Sequence, residues 1–237
     1  MPIRLFQRFH PSWGMTLAAI SAMGALLALG TWQMDRMQWK EALIAERGQR
    51  LAAPPVNLPA QVAAPEALEY RRVQAVGRFL HDRELYMAGR SRRGQSGYHV
   101  IAPLQRADGS AVLVDRGWVP LDRKLPQSRD QGLVDGQVTI QGLARVPQRP
   151  GWLTPKNQVE GNFWFYVDVP AMAAAASLSN VLPVYIEAGL APNPGGLPVG
   201  GQPETNLPNN HLQYAITWYA LALALGVIYV LRSLRED

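Results

Sequence analysis

Two uncharged apolar stretches, residues 13–32 and 211–231, stand at opposite ends of this chain and leave a polar sequence between them. Each is about 20 residues long, which at about 1.5 Å of rise per residue covers the roughly 30 Å hydrocarbon core of a bilayer. Neither shows the polar face that a helix on a water-soluble domain would carry. Both are therefore expected to span a membrane. A removable signal peptide competes for the first stretch, because Arg4 and Arg8 precede it and Ala28 and Gly30 lie near its end. Its apolar run exceeds a signal core, however, and no clear A-x-A site follows.

Composition narrows what lies between. A mean hydropathy of −0.09 excludes a polytopic transporter. Residues 35–210 suffice for one domain with its own core and not for two. The net charge is +5, but the basic residues are scattered, with Arg71–Arg72 and Arg92–Arg93 the nearest to clusters, so nucleic-acid binding has no support. Without cysteine there is no disulfide framework, thiolate metal site, redox pair or covalent haem attachment.

Charge bias sets the expected topology. Arg232 and Arg235 follow the second span, whereas residues 189–210 contain no Lys or Arg, which places the C-terminus in the cytoplasm. The first span is ambiguous, since Arg4 and Arg8 are opposed by Arg36 and Lys40, and the even number of spans decides for it. The expected organisation is a cytoplasmic tail over 1–12, a first span over 13–34 continuing as helix to about 51, and a periplasmic domain over 52–188. A Pro/Gly-rich tether over 189–210, a second span over 211–231 and a cytoplasmic tail over 232–237 complete it. The location this implies is a bacterial inner membrane.

In the domain the signal is mainly β. Residues 72–79 alternate, 84–87 form a short candidate, and 98–104 pass through the turn at 107–110 into 111–119 as a hairpin. Residues 138–145, 163–169 and 184–187 are further strands, 170–178 a short helix, and 52–67 a loop. The expected fold class is two transmembrane helices flanking one mainly antiparallel α+β domain, a sandwich or small barrel. The tether at 189–210 reaches about 25 Å if it behaves as a coil.

No nucleophile elbow, zinc-protease helix, P-loop or dinucleotide fingerprint is present, so an enzyme is not indicated. Asp115 and Arg116 are expected to form a local ion pair at a strand end. His211 differs from the other histidines by its place on the first turn of the second span, behind Asn209 and Asn210, either of which can cap the helix. The positive end of the helix dipole disfavours an imidazolium there, and a neutral imidazole can bind iron. Tyr214 and Trp218 share its face. In a two-helix hairpin Gly30, Thr31, Trp32 and Gln33 lie at the depth of His211, with Arg36 and Lys40 just above. Gly30 permits close approach of a helix or a flat ligand. A tetrapyrrole suits such a place; so does a plain interfacial histidine among belt aromatics, with Trp32, Trp39 and Leu43 lining one helical face.

Four segments carry a resemblance: Gly30-Thr31-Trp32-Gln33-x-x-Arg36-x-x-Trp39-Lys40, Gly97-Tyr98-His99-Val100-Ile101-x-Pro103-Leu104, Val112-Leu113-Val114-Asp115-Arg116-Gly117-Trp118-Val119-Pro120 and Asn209-Asn210-His211-Leu212-x-Tyr214-Ala215-x-x-Trp218. In their order and over nearly the whole chain they resemble the surfeit locus protein 1 family, which are cytochrome c oxidase assembly factors. The resemblance implies two spans, an outer domain and a part in placing haem a in the catalytic subunit of the oxidase. It also implies haem a bound as transient cargo with His211 as axial ligand to the iron. Tyr214, Trp218, Trp32, Gly30, Gln33 and Arg36 are then the expected surroundings of the macrocycle, and the enzymes of haem a synthesis further partners. The alternative is a scaffold that stabilises an assembly intermediate by protein contacts alone.

Overall fold

The computed structural model describes residues 12–201 and 207–234, so Arg4, Arg8 and Arg235, on which part of the topology argument rests, lie outside the described residues. The chain divides into a helical unit, up to Glu46 and from Asn206, and a β unit over Arg47–Thr205.

The helical unit holds most of α1 (Trp13–Ala52) and all of α3 (His211–Ser233), both long and apolar enough to cross a membrane. Their apolar side chains are bare: Leu17, Leu223 and Leu231 are 70%, 71% and 64% exposed. Water would not tolerate so continuous an apolar surface, so lipid is the fitting solvent. What is buried is small. Gly30 is the buried residue of α1, and Ala215, Ala222 and Ser233 are those of α3. Partly or fully buried positions recur at 19, 23, 26, 30, 33 and 37 on α1 and at 211, 215, 218, 222, 225 and 229 on α3. Steps of three and four give the 3.5-residue period of two helices packed along one seam. Hydroxyl pairs lie beside it, Thr16 to Tyr229 at 2.9 Å and Thr31 to Tyr219 at 3.2 Å.

The β unit contains β1 (Val56–Asn57), β2 (Arg72–Phe79), β3 (Leu85–Arg92), β4 (Gln95–Gln105), β5 (Ala111–Pro120), β6 (Val138–Arg145), α2 (Val169–Ala175) and β7 (Val181–Ala188). The strand order is β1-β2-β6-β7-β5-β4-β3, and a further β2–β4 pairing closes five strands, β2, β6, β7, β5 and β4, into a small barrel. Most pairings are antiparallel; β5 runs parallel to β7 and β1 to β2. Inward residues alternate along each strand, as a half-buried sheet requires: Val73 and Ala75 on β2, Val112 and Val114 on β5, Val184 and Ile186 on β7. A second core lies against the outer wall, where Ile101 and Leu113 meet Met87, Trp164, Val169 and Met172. That double cover explains the unbroken burial of residues 100–104 and 111–114.

Several expectations are corrected. Residues 163–169 do not form a strand: Trp164 makes a single bridge to Met87, and Val169 already opens α2, capped by Asp168, whose carboxylate accepts from the Ala171 amide. The 52–67 loop contains β1 and a turn of 3-10 helix at Pro65–Leu68. The first half of the expected tether is folded onto the barrel. Val199 exchanges backbone hydrogen bonds with Trp118 and the Gly201 amide donates to Ala188, so a coil estimate does not apply there; residues 202–206 lie outside those described. Gly117 makes that return possible. Its φ is +112°, and a Cβ at that point would collide with the Val199 carbonyl.

Candidate functional site

His211 sits on the first turn of α3, on the face that meets α1. Its Nδ1 lies 2.7 Å from Oε1 of Gln33, one of the four residues that sequence depth-matching puts at its level. An amide oxygen only accepts, so Nδ1 carries a proton, and in the neutral ring Nε2 is then the nitrogen with the lone pair. The arrangement fixes the tautomer and the rotation of the ring, as a partner behind a metal-ligating histidine does. The preceding asparagines do not cap the helix. Asn210 stands at the N-cap without a side-chain capping bond, and Asn209 instead donates from Nδ2 to the Met37 carbonyl at 3.5 Å, which ties the entry of α3 to α1. The Asn209 side-chain oxygen is buried without a hydrogen-bond partner.

The remaining expected site residues are distributed around this pair. Trp218 is half-buried on the seam two turns below His211, whereas Trp32 and Tyr214 are each 55% exposed. Arg36 lies over the ring of Trp39, its guanidinium carbon 3.9 Å from the ring centroid, which holds the cation just past the C-terminal end of the first apolar stretch. Gly30 is where a helix, not a flat ligand, comes close: a Cβ there would lie 2.6 Å from the Tyr219 ring. Sequence reasoning missed Tyr219, although a large aromatic facing a glycine at matched depth was the available signal. An apolar groove of about 620 Å³ lies along the hairpin, lined by Met23, Leu27, Tyr219, Ala222, Gly226 and Val230 among others, and no expected site residue lines it.

In the β unit the expected Asp115–Arg116 ion pair is absent, because neighbours on a strand point to opposite faces. Asp115 faces outward and lies 2.8 Å from Nδ1 of His99. Arg116 faces the opposite way and is fully buried, with Nη2 donating to the Gly132 carbonyl at 2.7 Å and to Asn193 at 2.8 Å and its guanidinium over Phe79. Beside it Glu84 takes a two-pronged ion pair from Arg129 and a bond from His81, a buried charge network that sequence spacing does not signal. Among the described residues no group of three or more His, Asp and Glu could hold a metal ion.

The chain's relatives are consistent with this architecture. The SURF1 family model matches residues 20–223. The chain is 37% identical to human surfeit locus protein 1 over 94% of its own length and 77% of that protein. It is 34% identical to surfeit locus protein 1 of Takifugu rubripes, over 94% of this chain and 97% of that one. With a SURF1-like protein of Monosiga brevicollis the identity is 37%, over 92% and 88%. The match runs through both apolar helices and the barrel between them, and the chain belongs to the SURF1 family.

Proposed function

We propose that this protein is a non-catalytic assembly factor for a haem–copper cytochrome c oxidase, that it holds haem a as cargo at the outer end of its helical hairpin, and that it aids transfer of that haem to the catalytic subunit. The observation that carries the reading is the His211–Gln33 bond, which leaves the imidazole Nε2 without a hydrogen-bond partner among the described residues, at a helix start in an apolar unit. Iron supplies the affinity for that nitrogen. Gln33 orients the ring, Trp218 offers an apolar wall, and the rims of Trp32 and Tyr214 face lipid, from which so apolar a cargo would enter sideways. Arg36, propped on Trp39, is the cation placed to answer a propionate. Gly30 contributes by admitting Tyr219 and so closing the two helices.

The same reading puts the β unit outside a bacterial inner membrane with both termini in the cytoplasm, on the strength of Arg232 in the last turn of α3 and Arg235 beyond it. The oxidase catalytic subunit and the enzymes that make haem a are the proposed partners. The test is the absorbance spectrum of the detergent-purified protein made in cells that synthesise haem a. A haem a spectrum is expected for the wild type and its loss for His211→Ala, with the β unit still folded. Equal spectra for the two, or none for either, would reject the reading and leave a scaffold that works by protein contacts.

A further inference from the structure

The residues around His211 answer the iron and one edge of a haem, and leave a long stretch of the hairpin without a task. That stretch carries the apolar groove of about 620 Å³. On α3 it runs from Tyr219 to Leu231, about 18 Å at about 1.5 Å of rise per residue. Ala222 and Gly226, one turn apart, keep it open. A Cβ on Gly226 would already come within 3.2 Å of the Met23 side chain that lines the other wall. Among the lining side chains only Tyr219 carries an oxygen or a nitrogen.

That oxygen stands at the end of the groove nearest His211. Side chains lean toward the N-terminus of their helix, so Tyr219 reaches back from the groove toward the start of α3. Its hydroxyl lies 3.2 Å from Oγ1 of Thr31. Thr31 precedes Gln33, the partner of His211, by about 3 Å of helix rise. Thr31 spends its proton on the Leu27 carbonyl at 2.9 Å, so Tyr219 is the donor between the two hydroxyls. The phenol oxygen then keeps lone pairs to which no donor is bonded among the described residues. Within a hydrocarbon core no water supplies one.

We infer that the groove seats the isoprenoid tail of haem a, with Tyr219 accepting a hydrogen bond from the hydroxyl at the root of that tail. This assignment holds only with haem a as the cargo proposed above. Haem a bears its propionates on one edge and the tail on the opposite edge. With the propionates at Arg36, the tail edge is turned away from Arg36 and along α3 toward Tyr219. The groove is comparable in length with an extended farnesyl chain, and its apolar walls suit one. The acyl chains of ordinary phospholipids bear no hydroxyl and cannot use the acceptor. The consequence is selection: a haem with the tail is held in preference to haem b, which has none.

Absorbance titration of the full-length protein in detergent tests this with haem o, which has the tail and its hydroxyl, and with haem b, which lacks both. Tyr219→Phe keeps the ring against Gly30 and removes the hydroxyl; Gly226→Leu fills the groove. Each should weaken haem o by about tenfold, the worth of one hydrogen bond or of its packing in an apolar surround, and leave haem b unchanged. Micelles take up a tailed haem equally in every sample, so the comparison between proteins cancels that uptake. Unchanged haem b binding shows that the hairpin and His211 are intact, and if Gly226→Leu fails this check Tyr219→Phe decides. Haem o affinity equal in wild type and variants overturns the groove assignment and leaves the groove to lipid, while haem binding through His211 stands. Binding of neither haem by the wild type removes the cargo and the groove assignment together.

Discussion

A single hydrogen-bond acceptor decides what His211 can do. Gln33→Leu keeps the size of the side chain and removes the oxygen, which frees the ring to rotate and to place its proton on either nitrogen. If the protein holds haem as proposed, its haem affinity is expected to fall by about 10- to 100-fold without loss of the protein, the effect of deleting a partner behind a metal ligand, and a titration of the protein with haem reads it. Glu84 is the counterpart in the β unit. Burial raises its carboxyl, but hydrogen bonds from His81 and Arg129 and the charges of Arg129 and Arg116 outweigh burial and hold it below the ordinary value of 4.5. A carboxyl lowered in the folded state contributes stability that is complete above its unfolded value and is lost as pH falls from 4.5 through the folded one. Glu187, raised, acts in the opposite sense, its contribution fading as pH rises above 4.5. Glu84→Gln should therefore lower stability at neutral pH by about 3 to 5 kcal/mol, because buried Arg129 loses its partner, and should flatten the acid limb of a plot of Tm against pH. An unchanged acid limb would show that the network does not govern acid unfolding.

Among the elements, the two long helices and the layer outside the barrel behave differently under substitution. The α1/α3 seam is narrow because Gly30 receives the Tyr219 ring, so Gly30→Val should push the helices apart at that level. Cross-linking between cysteines introduced at Thr16 and Tyr229 would persist, while cross-linking between Gln33 and His211 positions would drop; equal yields would exclude the wedge. The outer layer depends on Trp164, which is fully buried and pinned by backbone hydrogen bonds with Tyr86 and Ala88 and by its indole N–H to Asn162 at 2.9 Å. Trp164→Ala should cost about 3 to 5 kcal/mol in thermal or denaturant unfolding of the β unit, with the helices unaffected. The segment around Trp164 looks like a strand because Phe, Trp and Tyr favour extended backbone. Only isolated bridges form there, Trp164 to Met87 and Phe163 to Gln158, since β3 is the edge it meets and α2 begins a few residues later.

As a whole the molecule is a solvent-divided chain: its helices expose leucines and its barrel buries valines. The β unit holds the hydrophobic core clusters itself, so residues 47–201 made alone should stay in solution without detergent and melt in one cooperative transition, as followed by circular dichroism; aggregation or a non-cooperative melt would contradict an independent core. Residue type and spacing determined a good part of this. Two apolar lengths set the helices, alternation set β2, the β4–β5 hairpin and β6, and depth-matching put residues 30–33 at the level of His211, because these follow from periods of 3.6 and 2 and from the thickness of a bilayer. The tertiary structure decided the rest. Closure of the barrel through β2–β4, the parallel β5–β7 pairing, the docking of residues 189–201, the partners of Asp115 and Arg116 and the filling of Gly30 by Tyr219 all join residues far apart in the chain. Their energies come from through-space contact, to which local propensity and spacing are blind.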